Sequence, residues 1–508
     1  MKKTVFRAMV IILAFSMLLT GCKRSAKIVE IDGESDVIYS SDGTIISDSD
    51  ADGQNTTNGG ANSGKNGQTN SGTNAGTNAG TIGGSNAGKV NLNGYQFTVI
   101  DHVKTRWTTD VVKTVESNLN CKITVRSDFQ YGTYYKMFQA QILAGKKVGD
   151  IMMPEIYSMG SFLKSGMLLD LNTVPHIDLS SKYFDQNTNK YMTVAGKTYA
   201  TKDWNNRPEM MCFVVFFNKK LISDYKLENP YTLVNQNKWT IDKMIEMCKA
   251  VKTDLNGDGK FDANDRYGLA SPAQDRTFAF LGGDGITALE VNGNTVELAL
   301  NKNSRFVETA NVLKTLFQYN NLSFPQDKSK DWHQIPAAFA NNQALFFVAR
   351  ASFAQELTEL RKMTADFGVV PMPMGSHVSS YTTTIDAGSQ VMTVPITAKK
   401  DLDKIGYILN ELAVVSYDKY NGDLNNYYKD FNLKYLCDDE SLNMILKGTS
   451  NCVYDITFIA SGANSSLQNL LMKVMVDGCE TYTSDPAQLY ASYSSAAKST
   501  VDSFFNSK

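Results

Sequence analysis

The sequence predicts an α/β fold with a largely parallel sheet, carried behind a long N-terminal segment too poor in apolar surface to fold. Two patterns carry that expectation. From about Asn91 onward, short apolar strands alternate with amphipathic helices. Before that, from about Ser49 to Lys89, the chain reduces to Gly, Asn, Ser, Thr and Ala, with Thr73-Asn74-Ala75-Gly76 repeated at once as Thr77-Asn78-Ala79-Gly80.

The first residues set the compartment. Lys2, Lys3 and Arg7 precede an apolar run from Ala8 to Leu18. A membrane span takes about 20 residues, so residues 1–21 are expected to be a cleaved signal peptide. The run ends in Leu19-Thr20-Gly21-Cys22, which resembles the lipobox of bacterial lipoproteins. That resemblance implies a diacylglycerol on the Cys22 thiol and cleavage just before it, which places the protein on the extracellular face of the cell membrane. Residues 22–90 then form the tether, and a Gly-rich chain of the length of its low-complexity part spans roughly 35 Å.

In the body, Tyr95 to Ile100 reads as a strand, Thr109 to Leu119 as a helix and Lys122 to Val125 as a second strand. A helix from Thr133 to Leu143 precedes a short strand at Asp150 to Met153. The ligand edge of such a sheet lies at the carboxyl ends of its strands. Asn292-Gly293 between Glu290-Val291 and Val296-Glu297-Leu298 signals a hairpin. Phe306, Ala310, Leu313 and Phe317 form a helical stripe that belongs to the core.

Basic and acidic residues nearly balance, at 50 and 52, so nothing calls for a nucleic-acid partner. Six cysteines remain after Cys22, and an even number in an exported chain permits disulfides in fifteen pairings. Cys212 and Cys248, however, fall in apolar surroundings suited to buried thiols. Neither G-x-S-x-G, nor H-E-x-x-H, nor a complete G-x-x-x-x-G-K-[ST] loop occurs.

Farther along, a family becomes recognisable. Gly166-Met167-Leu168-Leu169-Asp170-Leu171, Ala195-Gly196-Lys197-Thr198-Tyr199 and Phe216-Phe217-Asn218-Lys219-Lys220-Leu221 resemble segments of maltose-binding-type extracellular solute-binding proteins. So do Ala344 to Arg350, Phe367-Gly368-Val369-Val370-Pro371 and the loop Ala387-Gly388-Ser389-Gln390-Val391. The resemblance implies a two-lobe periplasmic-binding-protein type II fold with interlobe crossing strands over residues 91–508. The N-lobe would take about 91–210 and 365–413, and the C-lobe about 211–364 and 414–508. It also implies a monomeric receptor that closes on a carbohydrate or other small solute and delivers it to ABC transporter permease subunits. A ligand-sensing receptor of the same fold and a surface glycoside hydrolase are the alternatives.

Sugar sites pair aromatic faces with a few placed polar groups. The family placement therefore nominates Asp101 and Trp107 after the first strand, and Glu155 and Tyr157 after the third. At the first crossing it nominates Asp203, Trp204 and Asn205. Gln274, Trp332, Arg350 and Asp386 complete the set, and Trp204, flanked by polar residues on both sides, is the foremost stacking platform.

One further motif stands apart. Asp254, Asn256, Asp258, Asp262 and Asp265, with the carbonyl of Lys260 and a glycine at the sixth position, match the spacing of a calcium-binding EF-hand loop. Thr240 caps a helix upstream and Tyr267-Gly268-Leu269 reads as a strand downstream. The expected calcium ion is structural, held by half of a hand.

Overall fold

A computed structural model of the chain describes residues 84–506, apart from 87, 130–133, 293–294, 302–303, 319–320, 327–330, 455, 458–465 and 480–483. The signal peptide, Cys22 and nearly all of the tether lie outside the described residues.

The N-lobe sheet is parallel. Its strands β1 (Tyr95–Ile100), β2 (Cys121–Arg126) and β3 (Ile151–Met152) lie in the order β2-β1-β3, with Tyr95 opposite Cys121 and Val99 opposite Ile151. The helix Asp110–Leu119 covers it with Val111, Val112, Val115 and Leu119, and stops where Asn120 turns left-handed at φ 48°. A hairpin of β4 (Thr193–Val194) and β5 (Lys197–Thr198) turns through Ala195 and Gly196, both at positive φ. Paired positive φ values match the right-handed twist of the flanking strands.

The C-lobe sheet is mixed, which departs from the expected parallel arrangement. It contains β6 (Phe213–Asn218), β7 (Tyr267–Ala270), β10 (Ala344–Arg350) and β11 (Phe367–Val370), in the order β11-β6-β10-β7. Strand β6 runs antiparallel to both of its neighbours, and only β10 and β7 are parallel. The reason is the route of the chain: β6 enters this lobe from the first crossing and β10 returns towards it, so the pair must oppose. Every residue of β6 is buried, as is β10 up to Ala349. Such unbroken apolar runs suit strands covered on both faces. Strands β8 (Leu289–Asn292) and β9 (Thr295–Leu298) form the expected hairpin, its tip outside the described residues. Strands β12 (Thr384–Ile385) and β13 (Val453–Tyr454) pair in parallel.

Three crossings meet at one place. Ala351 N donates to Cys212 O (3.0 Å), Ser352 N to Met210 O (2.7 Å) and Asp386 N to Met211 O (2.8 Å). Two boundaries move as a result. Residues 367–370 pair with β6 in the C-lobe sheet, and Thr383 and Thr384 bond to Phe213 O and Phe278 O, so the chain returns to the N-lobe near Asp386 and not near 365. The folded body also starts earlier than residue 91. Ser85 Oγ and Asn86 N both donate to the buried Glu411 carboxylate (2.7 Å each), on the helix Leu402–Lys419.

The stripe Phe306, Ala310, Leu313 and Phe317 is buried. Trp239 is fully buried beside Thr240 and donates its indole N–H to Pro371 O (2.8 Å), while Thr240 Oγ1 caps Lys243 N. Cys121, Cys212, Cys248, Cys452 and Cys479 are free and buried. Among the described residues no helix is long and apolar enough to cross a membrane.

Candidate interlobe site

The carboxyl ends of β1 and β3 lead into Asp101-His102 and Glu155, just beyond the sheet edge. Both abut the loop Asp386–Gln390, which carries the chain from hinge to N-lobe. Ile156 N donates to Ser389 O (3.1 Å), Tyr157 N donates to Ala387 O (3.1 Å), and Glu155 bridges Gln390.

At the Gln390 end the side chains around Gln390 are closed upon one another, while the buried Ser389 Oγ beside it has no hydrogen-bond partner. Gln390 Nε2 donates to Asp101 Oδ1 and Met153 O (2.8 Å each), and its Oε1 accepts from Arg106 (3.2 Å). Asp101 is buried and also accepts from Val103 N, from Arg106 (3.0 Å) and from the Trp107 indole (2.7 Å). Trp107 is thus a buried packing residue held by Asp101. His102 Nδ1 lies 3.4 Å from the buried Glu155 carboxylate, and burial lowers the His102 pKa. The backbone oxygen of Gln390 accepts from the Lys202 amine and from Asn206 Nδ2 (3.1 Å). Burial, helped by the nearby Arg106 charge, pulls Lys202 down to about 7.

Next to it, Trp204 is only 6% exposed. The Arg207 guanidinium lies 5.0 Å from its ring centroid, and Tyr417 and Tyr427 meet it edge-on at 5.2 and 6.2 Å. Its face is therefore occupied from within the chain. Arg207 is held in turn by Glu209 and by Asp185 (3.3 Å), and Tyr428 donates to Glu209 (2.8 Å). Asp203 accepts from Asn205 N (2.9 Å), and its burial pushes it up to about 6. Asn205 itself is half-buried.

The Asp386 end is built differently. Arg350, the last residue of β10, reaches Glu356 (2.6 Å) and lies 3.7 Å from Asp386 Oδ1, while its guanidinium covers the Phe353 ring at 4.4 Å. Trp332 stands 5.7 Å from Phe353. Asp386 also accepts from Gly388 N (2.6 Å). Asp275, next to Gln274 on the first turn of the helix Ala273–Gly283, rises to about 7 because it is desolvated and faces the Asp386 charge. Desolvation raises Asp386 too, against the pull of Arg350. Two donors here are buried without a hydrogen-bond partner: Arg350 Nε and Trp332 Nε1.

The structure therefore joins Asp101, Trp107 and Glu155 at one end of the loop, and Arg350, Asp386, Trp332 and the Gln274-Asp275 turn at the other. Trp204, Asp203 and Asn205 form a third group beside the first, and Tyr157 touches the middle of the loop. Gln390, Arg106, Lys202, Phe353 and Glu356 were not singled out from sequence. Of these only Gln390 had a signal, as the residue closing the Gly388-Ser389 motif.

In the Asp254–Asp265 loop the carboxylates turn inward onto backbone N–H groups. Asp254 accepts from Gly257 and Gly259 N (2.7 and 2.9 Å), Asp258 from Lys260 N (2.8 Å), and Asp265 from Leu255 and Asp262 N (2.9 Å each). Gly257 and Gly259 both hold φ above 70°. Among the described residues no three His, Cys, Asp or Glu side chains converge tightly enough to hold a metal ion by themselves.

Comparison with known proteins agrees with this architecture. The GacH receptor of Streptomyces glaucescens, solved unliganded and with acarbose, shares 15% identity over 81% of this chain and 99% of its own, with a TM-score of 0.52. The maltose/maltodextrin-binding domain MalE from Bdellovibrio bacteriovorus, bound to maltotriose, shares 17% over 81% of this chain and 100% of its own, at 0.52. The galacto-N-biose-/lacto-N-biose I-binding protein from Bifidobacterium longum shares 13% over 81% and 98%, at 0.53. At such identities these likenesses establish the fold alone. No curated protein matches the sequence. The model of the bacterial extracellular solute-binding protein family matches residues 104–401, more than half of the chain, and with the two lobes and their three crossings this makes the chain a member of that family.

Proposed function

We propose that this protein captures a carbohydrate between its lobes and delivers it to the permease of an ABC importer, while a lipid on Cys22 holds it at the extracellular face. The observation that carries the reading is the Asp386 end of the interlobe loop. The Nε of the Arg350 guanidinium and the Trp332 indole N–H lack hydrogen-bond partners there, beside two carboxyl groups that can accept from hydroxyls. Aromatic surface from Phe353 and Trp332 lies alongside. Sugar hydroxyls and ring faces complement that mixture. The solved proteins of like fold named above hold acarbose and maltotriose. Arg350, Asp386, Gln274 and Trp332 are accordingly the ligand-contacting residues in this proposal. Trp204 contacts ligand only if closure lifts Arg207 from its face.

A thermal-shift screen of neutral oligosaccharides, amino sugars, sugar acids, peptides and polyamines tests the ligand class. A ligand at a hundred times its Kd adds about 2.7 kcal/mol of stability. Stabilisation by peptides or polyamines alone overturns the sugar reading. Cys22→Ala is expected to abolish labelling by a fatty-acid analogue, and equal labelling of both proteins overturns the anchor.

We also propose a structural calcium ion in the Asp254–Asp265 loop. Asp254, Asn256, Asp258, Asp262 and Asp265 supply the hard oxygen donors such an ion requires, with the Lys260 carbonyl among them. A bound ion would fix the turn that leads into β7. Chelator is expected to lower the melting temperature of the wild type but not of Asp258→Ala, and native mass spectrometry should show one calcium per wild-type chain. An unchanged melting curve with no bound metal removes the proposal.

A further inference from the structure

The row of contacts that starts at Arg350 does not end at Trp332. The Arg350 guanidinium covers Phe353 at 4.4 Å, and Trp332 stands 5.7 Å from Phe353. The Trp332 ring in turn lies 4.6 Å from the His333 ring, tilted by 37°. His333 Nδ1 is 2.7 Å from Glu359 Oε1. Two segments bring these groups together. Trp332 and His333 lead into the helix Gln334–Ala340, and Glu359 stands on the short helix Thr358–Arg361 packed against it.

The His333–Glu359 pair engages one carboxyl oxygen and leaves the other. Glu359 Oε2 and Trp332 Nε1 are both buried, and among the described residues neither has a hydrogen-bond partner. The first can only accept from a ligand and the second can only donate. A fold that leaves such a pair unmet loses stability at both atoms, and a bound group with one donor and one acceptor restores both at once. Two adjacent hydroxyls of a sugar ring do this, with the apolar face of the ring against Trp332. His333 and Glu359 keep 27% and 21% of their side-chain surface exposed, which gives a ligand its approach.

We propose that Trp332, His333 and Glu359 form a second sugar subsite beside the Arg350–Asp386 end, so that the protein takes a glycan of two or more units and not a single sugar. This rests on the carbohydrate reading above and adds the length of the ligand. Trp332 and Glu359 contact the second unit. His333 is a positioning residue: it holds Glu359 by Oε1 and leaves Oε2 for the sugar.

Calorimetry of the full chain against two series of sugars tests this: glucose, maltose and maltotriose, and N-acetylglucosamine, chitobiose and chitotriose. In at least one series, affinity is expected to rise about tenfold or more from one unit to two. Glu359→Gln, which puts an amide donor where the sugar needs an acceptor, should remove that rise and leave the affinity for the single sugar unchanged. Trp332→Phe keeps an aromatic ring but deletes the donor, and should weaken the two-unit sugar about three- to tenfold. A purely structural role for Glu359 would move both affinities together, so the split between one unit and two is the reading that decides. Equal affinity for one and two units in a series that binds overturns the subsite, and so does a Glu359→Gln variant that weakens both alike. Silence of all six sugars with the wild type overturns the carbohydrate reading itself, and the subsite with it. Where Trp332→Phe fails to fold, the Glu359→Gln comparison and the wild-type series still decide the matter.

Discussion

The two ends of the loop Asp386–Gln390 handle buried polarity in opposite ways. At Gln390 the amide and backbone oxygen are all engaged, by Asp101, Met153 O, Arg106, Lys202 and Asn206. At Asp386 a guanidinium nitrogen and an indole N–H stay unpaired, and two carboxyl groups hold raised pKa values. A buried donor without an acceptor costs about 1–3 kcal/mol. A fold retains such a group where something else can complete it. The saturated end reads as scaffold, and in the function proposed above the unsaturated end is the one that meets a ligand's hydroxyls.

The largest effect that could break this contrast is at Asp101. Asp101→Ala removes the acceptor for Gln390, Arg106, Trp107 and Val103 together, so urea unfolding should show a loss of about 3–5 kcal/mol. If Asp101→Ala instead weakens ligand with stability intact, the Gln390 end is a binding surface and the division fails. Asp386→Asn should behave the other way. Calorimetry is expected to show ligand affinity falling about ten- to a hundred-fold, about 1.4–2.8 kcal/mol, while unfolding changes by less than about 1 kcal/mol, since Glu356 still pairs with Arg350.

A pH titration sharpens the contrast further. Asp275, at about 7 in the fold, retains a proton that the unfolded chain releases near pH 4. Its stabilising contribution is complete below pH 4 and is lost as the pH rises through 7. Asp203, raised to about 6, acts with the same sign at the scaffold end. Lys202 opposes them above neutrality: lowered to about 7, it relieves the fold of a buried charge as the pH climbs from 7 towards 10. Asp275→Asn should therefore flatten the fall between pH 4 and 7 by on the order of 1–2 kcal/mol, leaving the part due to Asp203. Equal slopes in wild type and variant would place the titration elsewhere. The smallest effect calibrates the others: Thr240→Ala, outside both ends, should cost about 1 kcal/mol through its lost helix cap, with ligand affinity unchanged.

The strands of the N-lobe were legible because each is a short apolar run bounded by a turn, and their order follows from the alternation with helices. The mixed C-lobe sheet was not, because strand direction depends on where the chain crosses between lobes. The apolar runs of β6 and β10 read the same in either direction. Arg350 and Asp386 could be nominated from motifs at the crossings. The Gln390 network could not, since it gathers Asp101, Lys202 and Gln390 from segments about 100 to 290 residues apart in sequence. Trp204 shows the limit most clearly: polar flanking residues suggested an open face, yet Arg207, three positions on, folds back over it.

The clasp of Ser85 and Asn86 on Glu411 has a mechanical consequence. Glu411 also accepts from Asn118 on the helix Asp110–Leu119 (2.7 Å), so the clasp is bolted to two helices of the N-lobe and to none of the crossings. With the anchor proposed at Cys22, a pull on the preceding chain would load the N-lobe there, as a mooring line loads the hull and not the hatch. Under that proposal the C-lobe would swing about its three crossings without working against the anchor, and opening and closing would cost the same with or without a pull on it.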